Sequence, residues 1–344
     1  MMSKKILIFG AGVIGSVYAV RLAEAGNDVT VLARGKRLEA LHSGGLRIRN
    51  LFLDEGEETA GIQVTETLAP GTEFDAVLVT VRSGQITDVL VRLKQERITA
   101  RAFVVIGNNL GNLDEQAGLV GNDRFIAGFG AFGGYEEDGV ICYLDGRTRE
   151  KSENSRRSKT TTGIIDASAR PALTLLHEIF SGAGIPTVEN NNIRSYLLYH
   201  AALVFPLAGA MYAAGGDQER FCNTRDAIVL GVRGCHECFA ALRALGYPLE
   251  PKSLRTLIMM PERYIVSLLS KKMRGESARI AMFGHANAPG GRSEIGGQAS
   301  VLDAVLRASG KPMPSWNRLL PYFDPNHKEP LIPNGSGEIK LKIW

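Results

Sequence analysis

The chain has 344 residues, 44% of them hydrophobic and 22% charged, with a formal net charge of +4. That length suits two domains, and the composition is that of an ordinary globular protein. The charge is too small and too dispersed to mark nucleic acid or a membrane as the principal partner. No apolar run reads as long enough to cross a bilayer.

Lys5–Phe9 is a short apolar run and reads as a strand, Val13–Ala25 as a helix and Asp28–Ala33 as a second strand. Met1–Lys5 is polar and the first strand follows at once, so no secretory signal is expected, and the reading is a cytoplasmic protein with reduced thiols. Phe74–Val81 is a further strand, with a turn at Arg82–Gly84 and a helix over Ile86–Lys94. Phe103–Ile106 reads as a strand running into the Asn- and Gly-rich loop Gly107–Asn112, and more strands follow at Phe125–Gly128 and Gly139–Leu144. This alternation predicts an α/β fold with a parallel, doubly wound sheet of the Rossmann type.

Asp145–Thr162 is polar and reads as a surface loop. Thr161–Asp166 reads as a return strand and turn, Pro171–Gly182 as a helix and Ile185–Val188 as a short extended piece. Beyond Glu189–Asn192 the pattern turns helical, over Ser195–Ala214, Arg225–Leu245, Pro251–Ser270 and Ile295–Ser309. The expected organisation is a Rossmann domain at 1–189, a mainly α-helical domain at 190–325 and a tail at 326–344. Cys235 and Cys238 form a C-x-x-C, a spacing also used for redox or zinc chemistry. They fall inside a helical pattern with no second cysteine pair, so they read as ordinary buried helix positions, and no metal is expected.

Gly10-Ala11-Gly12-Val13-Ile14-Gly15 matches G-x-G-x-x-G. It sits directly after a strand and before a helix, the context that gives the motif meaning. Gly10 permits the tight turn, Gly12 lets the backbone approach a pyrophosphate, and Gly15 lets helix and strand pack closely. The helix N-terminus offers unpaired N–H groups and a positive dipole end to the phosphates. The second strand ends in Arg34, with Gly35, Lys36 and Arg37 after it, where NAD enzymes carry an acid for the ribose hydroxyl. Cations there suit a 2′-phosphate, and the cofactor reading is NADP(H), with Arg34 on the phosphate. A second match, Gly128-Phe-Gly130-Ala-Phe-Gly133-Gly134, precedes a turn and a strand, lacks a helix dipole and reads as packing.

Several segments together resemble the ketopantoate reductase (2-dehydropantoate 2-reductase) family: the glycine loop, Leu32–Gly35, Leu78–Gln85, Asn108–Asn112 and Ser293–Ile295. The resemblance implies a Rossmann domain, a helical second domain and NADPH in the cleft. The implied reaction is reduction of a small 2-oxo acid, ketopantoate first, with pantothenate as the end of the route. From the mild, dispersed charge no nucleic-acid or membrane partner is expected, and the sequence leaves a monomer or a homodimer open. The resemblance places Arg82 where the family has a cofactor-contacting Lys, Gln85 on the Gln after it, and Asn108 beside nicotinamide and substrate. It places Glu294 on the active-site Glu. The family also has a proton-donating Lys on the first long helix of the second domain. Here that helix, Ser195–Leu207, has no Lys, and the family position falls on Leu197 or on His200 depending on register. His200 is the leading substitute, as proton donor and as positive charge for the oxyanion. Tyr196, Tyr199 and His285 are weaker candidates. Without the Lys, the implied alternatives are a reductase of another ketone or a non-catalytic NADP-binding sensor.

Overall fold

The computed structural model describes residues 2–53, 56–145, 158–284, 287–288, 290–327 and 330–342. The chain divides into two compact units, Met1–Ile193 and Arg194–Trp344.

The first unit is built on strands β1 (Lys5–Phe9), β2 (Asp28–Leu32), β3 (Arg47–Asn50), β4 (Glu57–Thr59), β5 (Gln63–Thr65), β6 (Glu73–Val79), β7 (Thr99–Ile106), β8 (Phe125–Phe129), β9 (Gly133–Glu137), β10 (Val140–Leu144), β11 (Thr160–Gly163) and β12 (Thr187–Glu189). The main sheet has eight strands in the order β12-β11-β8-β7-β6-β1-β2-β5. Neighbours from β8 to β5 are all parallel, and β11 runs antiparallel to β8. The central strands bury both faces, so β1 is apolar at every position after Lys5. Helices α1 (Val13–Glu24), α2 (Gly35–Gly44), α3 (Ile86–Gln95), α4 (Leu113–Val120) and α5 (Arg170–Gly182) accompany the sheet.

The sequence reading omitted a second, four-stranded sheet, in the order β4-β3-β10-β9. Its outer strands are three to five residues long and rich in charge, such as Glu57-Glu-Thr59, so neither length nor alternation announces them. Val140–Leu144 belongs to this sheet rather than to the parallel one. It shares a core with α1 and α5, in which Tyr18 stacks on Phe180 and meets Phe132 edge-on. The Tyr18 hydroxyl is 2.6 Å from Thr160 Oγ1, and burial pushes its pKa up to about 12. The Arg21 guanidinium ties α1 to Glu58 on β4 and to the Tyr143 hydroxyl on β10.

Two further differences concern boundaries. The strand expected from Thr161 begins at Thr160, and its threonines are buried. Most of the basic loop expected before it, residues 146–157, lies outside the described residues. Gly134 matches the packing role expected of the second glycine cluster, because a methyl group there would lie 2.0 Å from Cys142 O.

The second unit is helical: α6 (Ile193–Ala213), α7 (Gln218–Asn223), α8 (Arg225–Ala244), α9 (Leu254–Met259), α10 (Glu262–Met273), and further helices at Gly291–Arg307 and Pro314–Leu319. The single helix expected over Pro251–Ser270 is two, because Pro261 cannot donate to the preceding turn and instead starts α10 as its N-cap. By length and composition α6 could cross a membrane, contrary to the expectation of no such run, yet 78% of its apolar window is buried inside the protein. Cys235 and Cys238 both lie buried in α8, where burial pushes their thiols up, and Cys235 Sγ donates to Leu203 O.

The C-terminal tail docks within this unit. Asp226 accepts from the N–H groups of Glu338 and Ile339, and Arg233 donates to Lys340 O. Arg233 also pairs with Glu262 at 2.7 Å, and Glu262 is fully buried. Burial alone would raise the Glu262 pKa, but hydrogen bonds from Arg233 and from the Lys342 N–H hold it below its usual value. Arg233→Met leaves that carboxylate buried without its cation. The expected cost is about 3 kcal/mol at neutral pH, read from urea unfolding. A lowered carboxylate contributes stability above its unfolded pKa and loses it as pH falls through the folded value. The difference between wild type and variant should therefore shrink in acid.

Candidate active site

The carboxyl ends of β1, β2, β6 and β7 lie along one edge of the main sheet, and β1 and β6 are adjacent there. Successive strands are added in opposite directions on either side of this parallel pair, the position at which open α/β sheets bind ligands. The residues that follow the four ends are Gly10, Arg34, Arg82 and Asn108 with their neighbours. The parallel pairing thus gathers segments that are far apart in sequence.

The three motif glycines have distinct surroundings. Gly10 has φ +116, a conformation that L side chains avoid. A methyl group on Gly15 would lie 2.0 Å from Gly10 O and 2.4 Å from Thr80 Oγ1. The helix therefore touches the strand end through a position that has no room for a side chain. Gly12 is the N-cap of α1, exposed, and a methyl group there would meet nothing within 4 Å. That open space borders the first-turn N–H groups of α1, which have no intrahelical acceptor. The cradle fits a dinucleotide pyrophosphate, with Ala11, Val13 and Ile14 completing the loop.

Arg34 is the exposed N-cap of α2. Gly35 starts a helix that the sequence reading did not assign, so Arg34 stands at a helix N-terminus. Arg37 differs from Arg34: its Nε donates to Ala11 O at 3.0 Å and its Nη1 pairs with Glu136 at 3.2 Å. Arg82 is exposed at the start of a one-turn 3-10 helix, Ser83–Gln85, and the Gln85 N–H donates to Arg82 O. Asn108 is half-buried just beyond β7. Its loop is held by Asn109, whose amide exchanges two hydrogen bonds with Gln116 and accepts from the Gly111 N–H. Asn112 then caps α4 by accepting from the N–H groups of Asp114 and Glu115.

In the second unit, α6 presents a less buried stripe of Tyr196, His200, Leu203 and Val204, at helical spacing. Leu197 is buried and belongs to the core instead. The Tyr196 and His200 rings stack with centroids 6.4 Å apart. Burial pushes the His200 pKa down to about 4, so the imidazole is neutral near neutral pH. Desolvation penalises the imidazolium and so disfavours the positive charge expected of it. The Tyr199 hydroxyl donates to Tyr247 O and burial raises its pKa, which marks it as a packing residue. Glu294 is half-buried in the first turn of the Gly291–Arg307 helix, a favourable place for a carboxylate. His285 lies outside the described residues.

Sequence reasoning passed over Thr80 and over the separate role of Arg37. Both were visible as residue types, but their contacts with the loop carbonyls depend on where β6 and α2 deliver them.

The sheet order, the glycine loop and the helix behind it define a Rossmann-type nucleotide-binding domain. The family model "Ketopantoate reductase PanE/ApbA" matches residues 6–151, within that domain. A curated relative, 2-dehydropantoate 2-reductase of Pyrococcus horikoshii, is 31% identical over 191 residues, 55% of this chain. The match spans 57% of that relative's length. Likeness in fold extends through both units. A PanE/ApbA family ketopantoate reductase from Ralstonia eutropha JMP134 superposes with a TM-score of 0.70 at 20% identity, covering 93% of this chain and 97% of the other. D-mandelate dehydrogenase, solved with NADH and anilino(oxo)acetate, gives 0.71 at 13% identity, covering 93% and 96%.

Two measurements test this geometry. Gly15→Ala forces a methyl group onto backbone and should cost about 3 kcal/mol in thermal or urea unfolding, whereas Gly12→Ala should be nearly neutral. The His200 imidazole, followed by NMR, should titrate near pH 4 in the unliganded protein. A midpoint near its ordinary value would show that it is solvated.

Proposed function

We propose that the chain is an NADPH-dependent reductase of a small 2-oxo acid, with 2-dehydropantoate as the leading substrate and pantoate as its product. The observation that carries this reading is the open cradle at Gly12, set at the carboxyl edge of a sheet whose family model is that of ketopantoate reductase. Gly10, Gly12 and Gly15 would shape the pyrophosphate loop, and Arg34 would take the 2′-phosphate. Arg82, Gln85 and Asn108 stand on the same sheet edge and would line the rest of the dinucleotide, with Asn108 toward the reacting end. The bound nicotinamide would supply the hydride.

His200 and Glu294 are the candidates for the catalytic roles. A neutral imidazole donates one hydrogen bond to the substrate oxygen and orients it, and Glu294 orients the substrate's hydroxyl or the imidazole. The absence of a Lys on α6 favours one variant of this reading, a 2-oxo acid or ketone other than ketopantoate.

Arg34→Ala should weaken NADPH binding at least about tenfold and leave NADH unchanged, measured by fluorescence titration. Equal loss of both would remove Arg34 from the 2′-phosphate. NADPH oxidation should be seen with ketopantoate or with another member of a small 2-oxo acid panel, and should collapse in Glu294→Gln. Tight NADPH binding with no turnover across the panel would instead indicate a sensor.

A further inference from the structure

Two carbonyl groups of the glycine loop are held by side chains from outside the motif. Thr80 Oγ1 donates to Gly10 O at 2.9 Å. Arg37 Nε donates to Ala11 O at 3.0 Å, and Ser16 Oγ reaches the same oxygen at 3.3 Å. In a trans peptide the C=O of one residue and the N–H of the next point in opposite directions. Holding the Gly10 carbonyl therefore fixes the Ala11 N–H on the other side of the loop. Holding the Ala11 carbonyl does the same for the Gly12 N–H. Both N–H groups then join those of the first turn of α1, beside the open space at Gly12.

The Arg37 guanidinium is held on three sides. Besides Ala11 O, its Nη1 pairs with Glu136 at 3.2 Å and its Nη2 lies 3.4 Å from Ser16 Oγ. Its side chain is one-fifth exposed, whereas Arg34 is exposed at the start of α2. Releasing Arg37 toward a ligand would leave the Ala11 carbonyl with Ser16 alone and Glu136 without this cation.

We propose that Thr80 and Arg37 are positioning residues that preset the phosphate-facing N–H groups of the loop, and that Arg37 is not a ligand of the 2′-phosphate. Discrimination between NADPH and NADH then falls to Arg34. This inference rests on the dinucleotide reading above. It adds that part of the preorganisation of the loop comes from β6 and α2.

The test is a set of dissociation constants for NADPH and NADH, measured by fluorescence titration on wild type and on Arg37→Gln, Thr80→Val, Thr80→Ser and Arg34→Gln. The unliganded melting temperature of each is recorded alongside. Arg37→Gln and Thr80→Val should each weaken both dinucleotides by about tenfold, with the NADPH to NADH ratio unchanged. Thr80→Ser keeps the hydroxyl and should bind as wild type does. Arg34→Gln should change the ratio. Loss confined to NADPH in Arg37→Gln would make Arg37 a 2′-phosphate ligand and overturn the proposal. So would wild-type affinity in Thr80→Val, or a drop in melting temperature in Arg37→Gln with affinity intact. If Arg37→Gln does not fold, the Thr80→Val and Thr80→Ser pair decides. Wild type binding neither dinucleotide would remove the cofactor reading itself, and the proposal with it.

Discussion

The first unit depends on one close approach. At Gly15 the first turn of α1 touches the end of β1 with no side chain between them, and Thr80 closes the contact from β6. Because the helix is seated so near, its next turns bury Val17, Tyr18 and Val20 completely. Tyr18 and Arg21 then reach opposite neighbours, Thr160 on the main sheet and Glu58 and Tyr143 on the small one. One helix is thus the shared core of two sheets, and its N-terminus is delivered at the sheet edge where the strands end. A helix displaced by the width of a methyl group would loosen both sheets and move the N–H groups that a phosphate would meet.

The same arrangement explains what was legible in the sequence. β1 and the end of β6 are buried on both faces, so they read as unbroken apolar runs, β2 is apolar but for Asp28 and Thr30, and the glycine spacing between β1 and α1 is chemically demanding. The other strands of the small sheet, β3, β4 and β9, are short and partly exposed, and Arg47-Ile-Arg-Asn50 looks like charged loop. Helix α4 did carry a signal, Asn112 followed by Asp114 and Glu115, a cap and an acidic first turn, which an Asn- and Gly-rich loop concealed. Of the candidate site, the glycines could be assigned roles from the motif alone. The contacts of Arg37 and Thr80 with the loop could not, since each is made to a backbone oxygen that carries no sequence signal.

On the proposed reading, the second unit would bear on the chemistry through what α6 lacks. A lysine ammonium at the reacting carbonyl would supply both a proton and a full positive charge, whereas the α6 stripe offers an imidazole that burial keeps neutral. The desolvation that keeps an imidazolium from forming also strengthens a neutral N–H as a hydrogen-bond donor, because water competes less for the same oxygen. On the proposed reading the two duties of the lysine therefore separate. Polarisation of the carbonyl stays with His200, and the proton must come through a group that can exchange with solvent. A substrate with its own hydroxyl near the keto carbon would relieve part of that demand, since an internal hydrogen bond from it spreads the charge that develops on oxygen. On that reading the missing lysine would favour substrates that bring such a hydroxyl, and Glu294, in the first turn of its helix, would hold it.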